Sequence, residues 1–260
     1  MRERPAEDYT FYDIPGPIPI VHRGGNAAGP GTENTIEAFW SAHEQGITYG
    51  EVDVCGTIDD KAVAIHGTRN PFAIRGGRDV LRSWIARHTH QELIKLPGFE
   101  QTPLLEEVIS DNKKMRYYID IKRPNAIRPT ARVIDRLKVH DRVSIGTDKY
   151  GREVAAELNG GGRDVCVGVS GWGAVILKVS GVTSVHLPHF TLSRKLIERA
   201  HNSGIHVISW PKNPKKNDHR DYIESSLDKG VYGVKSDHTN LLVDVFQLSS
   251  GSKITASSKY

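Results

Sequence analysis

Glu51 and Asp53 stand two residues apart in the run Tyr49-Gly-Glu-Val-Asp-Val-Cys55, and His66 follows a short way downstream. Side chains at i and i+2 of a β-strand point to the same side, so a strand here projects two carboxylates together. Charges in a Val-rich run are costly unless paired, and two bare carboxylates side by side call for a shared proton or a cation. An isolated E-x-D is most often a solvated strand face, because Asp and Glu are mostly exposed. Other groups shift that balance. His22 and Arg23 precede Gly24-Gly25 at the end of one apolar run, and Asp120 and Lys122 repeat the i, i+2 spacing in Arg116-Tyr-Tyr-Ile-Asp-Ile-Lys122. Taken singly, each histidine reads as a hydrogen-bonded core residue, and Asp120 with Lys122 reads as a structural ion pair. Together, at the ends of consecutive strands, they form a pattern that these separate readings do not explain.

Three carboxylates, Glu51, Asp53 and Asp120, with no cysteine among them suit one hard divalent cation, Mg²⁺ or Ca²⁺, completed by water and substrate oxygen. Arg23 and Lys122 add fixed positive charge matched to phosphate oxygens. His22 and His66 suit general acid–base work, one taking a proton from a nucleophile and one protonating a leaving alkoxide. A cation, fixed positive charge and a histidine pair together describe phosphodiester cleavage.

The elements that must position these groups follow from periodicity. Strand patterns fall at Pro19–His22, Tyr49–Cys55, Ala62–His66, Arg116–Lys122, Val143–Gly146, Val165–Val169, Ser184–Leu187, Ile205–Trp210 and Val231–Ser236. Amphipathic helices are expected between them at Thr35–Gln45, Leu105–Ser110, Ile127–Lys138, Tyr150–Leu158, Ser193–Ser203 and Asp221–Lys229, the first with Asn34 as N-cap and Gly46 as its stop. Repeated β-α alternation predicts a parallel sheet, most simply a TIM (β/α)8 barrel. The gap from Val54 to Ala62 is shorter than the dozen or so residues a parallel crossover needs, so Ala62–His66 should return as a β-hairpin excursion after strand 2, turning at Ile58–Lys61. That arm would bring His66 back beside Glu51 and Asp53. Gly67 to Pro103 reads as a rim loop with short helices over the active-site face. Residues 1–17 are expected to form an N-terminal extension, 18–247 the barrel, and 248–260 a disordered tail.

Composition is that of a chain with a real core: 38% hydrophobic and 7% aromatic residues over 260 positions. No apolar run approaches the roughly eighteen residues of a membrane span, and the N-terminus lacks a secretory apolar region, so a cytoplasmic location is expected. The net charge of +4 is dispersed apart from Lys212–Lys216 and the Arg75, Arg78, Arg82, Arg87 series, neither interleaved with stacking aromatics. A small anionic substrate fits this better than nucleic acid, with transient contact to a lipid surface and no obligate protein partner expected. Cys55 and Cys166 lie in apolar runs and read as buried free thiols.

The sequence resembles the glycerophosphodiester phosphodiesterase family. The likeness runs through His22-Arg23-Gly24, Glu33-Asn34-Thr35 with Ala38-Phe39, Glu51-x-Asp53, His66, Thr102-Pro103-Leu-Leu-Glu106-Glu107, Ile119-Asp120-Ile-Lys122, Trp210 and Gly230-Val-Tyr-Gly-Val-Lys-Ser236-Asp237, over roughly residues 20 to 242. It implies a TIM barrel, a metal at Glu51, Asp53 and Asp120, acid–base catalysis by His22 and His66, phosphate held by Arg23 and Lys122, and Trp210 at the substrate mouth. The expected substrate is a glycerophosphodiester or lysophospholipid. Three departures stand out: Asp120 replaces the usual glutamate, Gly67 replaces the aspartate after the histidine, and Trp210-Pro-Lys-Asn213 replaces W-T-x-N. The first is shared with sphingomyelinase D-like phospholipases, one alternative reading. A catalytically weakened barrel that binds anionic lipid or a protein is the other, supported by Gly67 and Lys212–Lys216.

Overall fold

Runs rich in Val, Ile and Tyr form the strands, as β-branched and aromatic side chains favour. In the computed structural model, which describes residues 5–66, 77–147, 153–154, 156–157, 165–170 and 182–248, these are β1 (Ile18–His22), β2 (Tyr49–Gly56), β3 (Ala62–Ala64), β4 (Arg116–Ile121), β5 (Val143–Thr147), β6 (Cys166–Ser170), β7 (Val182–Pro188), β8 (His206–Trp210) and β9 (Gly233–Ser236). Every pairing is parallel except that of β2 with β3. β1 pairs with both β9 and β2, so the described strands other than β3 close into a ring of eight. With helices packed around it, the ring is the expected TIM barrel.

The described helices are α1 (Ile36–Glu44), α2 (Gly77–Ile85), α3 (His90–Leu93), α4 (Leu105–Asp111), α5 (Ile127–Leu137), α6 (Arg194–His201), α7 (Pro214–Asn217), α8 (Arg220–Asp228) and α9 (Thr239–Val245). Strand alternation divides the core in two. Outward-facing Val21, Val52, Tyr117, Ile119 and Val234 pack against helix residues such as Phe39, Leu105, Ile134, Ile223 and Leu242. Inward-facing Ile18, Ile20, Tyr49, Tyr118, Cys166 and Ile208 join Ala6, Phe11 and Tyr12 from the N-terminal segment. Phe11 sits edge-on to Tyr49 and Tyr118, with centroids 5.5 and 4.8 Å away, and its carbonyl accepts from Tyr49 Oη at 2.8 Å. These residues plug the N-terminal end of the barrel with aromatic rings. The opposite end, where the strands finish, holds the polar side chains.

A third cluster, Leu81, Ile85, Leu93 and Phe99 on Cys55, Val63 and Ile65, seats α2 and α3 beside β2 and β3. Both cysteines are buried, and Cys55 Sγ donates to the Ile65 carbonyl at 3.4 Å. Gly46, at φ +90°, ends α1 as expected. One helix start differs from expectation. Asn34 is not the N-cap of α1; Thr35 is, its hydroxyl accepting from Ala38 N at 3.3 Å. Asn34 instead takes φ +61° and turns its carboxamide towards β2, where a stronger partner waits. Most of the expected helix Tyr150–Leu158, the stretch 67–76 that contains Gly67, and the expected tail beyond Leu248 lie outside the described residues.

Candidate active site

β1, β2 and β4 lie side by side, in register at His22 with Glu51 and at Asp53 with Asp120. That register turns three sequence-separated motifs into one surface at the strands' C-terminal ends. Single oxygens from Glu51, Asp53 and Asp120 come within 4.8 Å of one another. Their residues are only 3%, 0% and 9% exposed. Such burial is tolerable for carboxylates only with counter-charge close by.

The structure supplies that counter-charge. Lys122 Nζ lies 2.7 Å from Asp53 Oδ1 and 2.5 Å from Asp120 Oδ2. Arg23 Nε is 2.7 Å from Asp53 Oδ2, and its Nη1 donates to Glu33 Oε2 at 3.0 Å. Lys235 Nζ reaches Glu51 Oε1 at 3.1 Å. Burial pushes the Glu51 carboxyl up, but Lys235 and then His22 outweigh it and hold it down at about 2. Burial is likewise overcome at Asp53, where Lys122 and Arg23 hold the carboxyl well below the usual carboxylate range. The same pairing raises Arg23 and Lys122 above their ordinary values against the effect of burial, so both stay charged.

His22 is fixed at both nitrogens. Its Nδ1 is 2.5 Å from Asp237 Oδ1, and its Nε2 is 3.5 Å from Glu51 Oε2. A carboxylate only accepts, so Nδ1 carries the proton in that bond and Nε2 faces the carboxylate cluster. Burial lowers the basicity of His22, but Glu51 and Asp237 outweigh it and raise the ring above its ordinary value. His66 follows β3, brought alongside by Ile65 N, which donates to the carbonyl of Asp53 at 2.9 Å. Arg82 of α2 holds it, donating from Nε to the His66 carbonyl at 3.2 Å with Nη2 3.3 Å from the ring Nε2. Burial pushes His66 down to about 3, only partly opposed by Asp53. Trp210 ends β8 half-buried, in register with Pro188. Among the described residues no hydrogen bond joins its indole to the carboxylates.

Local backbone explains why the His-Arg-Gly and Glu-Asn-Thr motifs take this form. After β1 the chain turns sharply, with Arg23 at φ +57° and Gly24 at φ +87°. A Cβ at Gly24 would meet the Ala38 Cβ at 2.6 Å, so only glycine lets this turn approach α1. Asn34 N donates to the Arg23 carbonyl at 2.8 Å. Its side chain accepts from Asp53 N at 2.9 Å and offers Nδ2 to Asp53 Oδ2 at 3.5 Å. Asn34, Arg82, Lys235 and Asp237 thus belong to the site although the sequence named none of them as a catalytic, phosphate-binding or metal-ligating residue. Strand parity could have found Lys235 and Asp237: Lys235 is on β9 and Asp237 follows two residues on, just past the strand's end. Asn34 and Arg82 carry no such periodic signal.

The donor set fits a divalent cation. It is all oxygen, it is buried, and among the described residues Glu51 Oε2 accepts no hydrogen bond. Comparison with known proteins places this arrangement. The model of the glycerophosphoryl diester phosphodiesterase family matches residues 22–158, which carry His22, Glu51, Asp53, His66 and Asp120. The chain belongs to this family. It is therefore a phosphoric diester hydrolase of the glycerophosphodiester class. A relative from Mycobacterium tuberculosis, named "Probable glycerophosphodiester phosphodiesterase 2", is 29% identical over 263 residues, covering 94% of this chain and 96% of its own. An Oleispira antarctica phosphodiesterase solved with the product sn-glycerol-3-phosphate shares the fold at a TM-score of 0.70 and 19% identity, covering 88% of this chain and 97% of its own. The glycerophosphodiester phosphodiesterase of Thermotoga maritima does so at 0.66 and 21%, covering 88% of this chain and 98% of its own.

Proposed function

We propose that this enzyme hydrolyses glycerophosphodiesters or lysophospholipids to a phosphomonoester and an alcohol, with a divalent cation, Mg²⁺ or Ca²⁺, held by Glu51, Asp53 and Asp120. The meeting of these three carboxylates with two fixed cations and two histidines at one barrel rim carries the reading. The Oleispira antarctica structure with sn-glycerol-3-phosphate supports the product class. When bound, the cation supplies positive charge that polarises a phosphoryl oxygen and offsets charge developing on phosphorus.

The chain's own groups do the rest. Arg23 and Lys122 bind the phosphoryl oxygens and keep the diester oriented, while Trp210 lines the mouth on the alcohol side. A water, or a neighbouring substrate hydroxyl that first forms a cyclic phosphate which water then opens to the monoester, attacks phosphorus and gives its proton to one imidazole of the His22 and His66 pair. The bond from phosphorus to the alcohol oxygen breaks, and that oxygen takes a proton from the other imidazole. Asp237 holds the His22 ring so that Nε2, not Nδ1, exchanges the proton. Asp120 is one methylene shorter than the family's glutamate, and Lys122 bridging it to Asp53 draws that carboxylate towards the cluster.

The test is a panel of glycerophosphocholine, glycerophosphoethanolamine and lysophosphatidylcholine, each with Mg²⁺ or Ca²⁺. Release of glycerol phosphate supports the reading. Release of choline from the lysolipid alone, with both glycerophosphodiesters left intact, would narrow the reading to lysophospholipids, the class it shares with the sphingomyelinase D-like alternative, and salt-sensitive binding with no hydrolysis would favour a weakened barrel.

A further inference from the structure

Lys235 is the least expected side chain inside the barrel. It stands in an apolar run of β9, opposite Ile20 in register, and is only 5% exposed. A buried lysine without a carboxylate normally gives up its proton or is excluded from the core. Here its ammonium ends 3.1 Å from Glu51 Oε1, and its Nζ lies 6.0 Å from the centre of the Tyr118 ring, an electron-rich face that tolerates a cation. The strand itself is pinned by Tyr222 Oη, which donates to the Lys235 carbonyl at 2.9 Å. Lys122 bridges Asp53 and Asp120, and Lys235 reaches the cluster from β9 through Glu51.

With Lys235 in place, each of the three carboxylates has a fixed cation of its own. Glu51 has Lys235, Asp53 has Arg23 and Lys122, and Asp120 has Lys122. Among these six groups three negative charges face three positive ones, with Arg23 shared with Glu33, so the six together are formally neutral before any metal arrives. A dication then makes them doubly positive, the charge that complements a phosphomonoester dianion. Without Lys235 the same cluster starts with one surplus negative charge.

Resting on the metal reading above, we propose that Lys235 is a positioning residue that acts through Glu51 as a resident counter-ion. It weakens cation binding so that the cation exchanges readily, and it strengthens the site's hold on phosphate. Glu51 keeps Oε1 on Lys235 and turns Oε2 to His22. The ammonium thereby also selects which carboxylate oxygen is offered to a metal. A lysine that merely filled space would leave both affinities alone or damage both together. A counter-ion moves them in opposite directions.

Isothermal titration of the metal-stripped full chain with Mg²⁺ and with Ca²⁺, alongside inhibition by inorganic phosphate, reads both. In Lys235→Met and Lys235→Gln, each checked by circular dichroism, the cation Kd should fall by about tenfold or more, since a like charge has been removed from the metal's neighbourhood. The phosphate inhibition constant should rise in the same variants. Lys235→Arg should stay close to the parent in both. An unchanged or larger cation Kd in the folded neutral variants overturns the role of Lys235 and leaves the metal reading standing. No cation binding by the parent chain overturns both.

Discussion

At the scale of single residues, the site shows how much depends on which oxygen or nitrogen is free. His22 has one nitrogen on Asp237 and the other towards Glu51. His22→Asn, which keeps a donor but loses the transferable proton, should lower kcat/KM by roughly 10²–10⁴-fold with an unchanged circular dichroism spectrum. Steady-state kinetics on glycerophosphocholine checks this. Asn34→Asp tests the clasp on Asp53. It keeps the shape but sets a second carboxylate where Nδ2 now faces Asp53 Oδ2. Like charges at that separation repel and a bound cation relieves the repulsion, so the variant should reach half-maximal activity at a lower cation concentration, read from a metal titration. The sequence made Glu51, Asp53 and Asp120 legible because strand parity alone aims them together. Asn34 was misread for a physical reason: Asn favours helix N-caps, but it also tolerates the left-handed backbone, and here that second property decides.

At the scale of elements, β9 and the N-terminal segment contribute more than their sequences announce. β9 brings Lys235 and Asp237 to groups far away in the chain, a juxtaposition set by β1 pairing with β9 as the barrel closes. No local pattern encodes that meeting; it follows from the ring. The N-terminal segment lacks both strand and helix periodicity, yet Phe11 is 1% exposed among Tyr12, Tyr49 and Tyr118. Phe11→Ala should cost roughly 3–5 kcal/mol of stability, measured by urea unfolding, while the rim geometry at the other end of the barrel persists. Loss of activity without loss of stability in this variant would contradict the division between a packed floor and a chemical rim.

At the scale of the whole molecule, the parallel barrel was readable from β-α alternation, whereas its acid sensitivity was not. His206 is stacked on Tyr232 with centroids 3.7 Å apart, and burial, aided by His201, pushes it down to about 3. The unfolded chain binds a proton there below about pH 6.5, and the folded chain does not until much lower. Stability from this residue is therefore fully present above about pH 6.5 and is lost as pH falls towards about 3. His206→Phe, which keeps the stacked ring, should show a smaller drop in urea midpoint between about pH 7 and pH 4.5 than the parent. The central claim is broader: a barrel whose three buried carboxylates make phosphodiester hydrolysis depend on a divalent cation. Its most direct measurement is glycerol phosphate release from glycerophosphocholine by the chelator-stripped chain and by Glu51→Gln, before and after Mg²⁺ or Ca²⁺ is returned. The expected result is loss of activity on stripping, saturable recovery by the parent, and recovery in Glu51→Gln lower by orders of magnitude at the same cation concentration. Full activity after stripping, or equal recovery by Glu51→Gln, would contradict it.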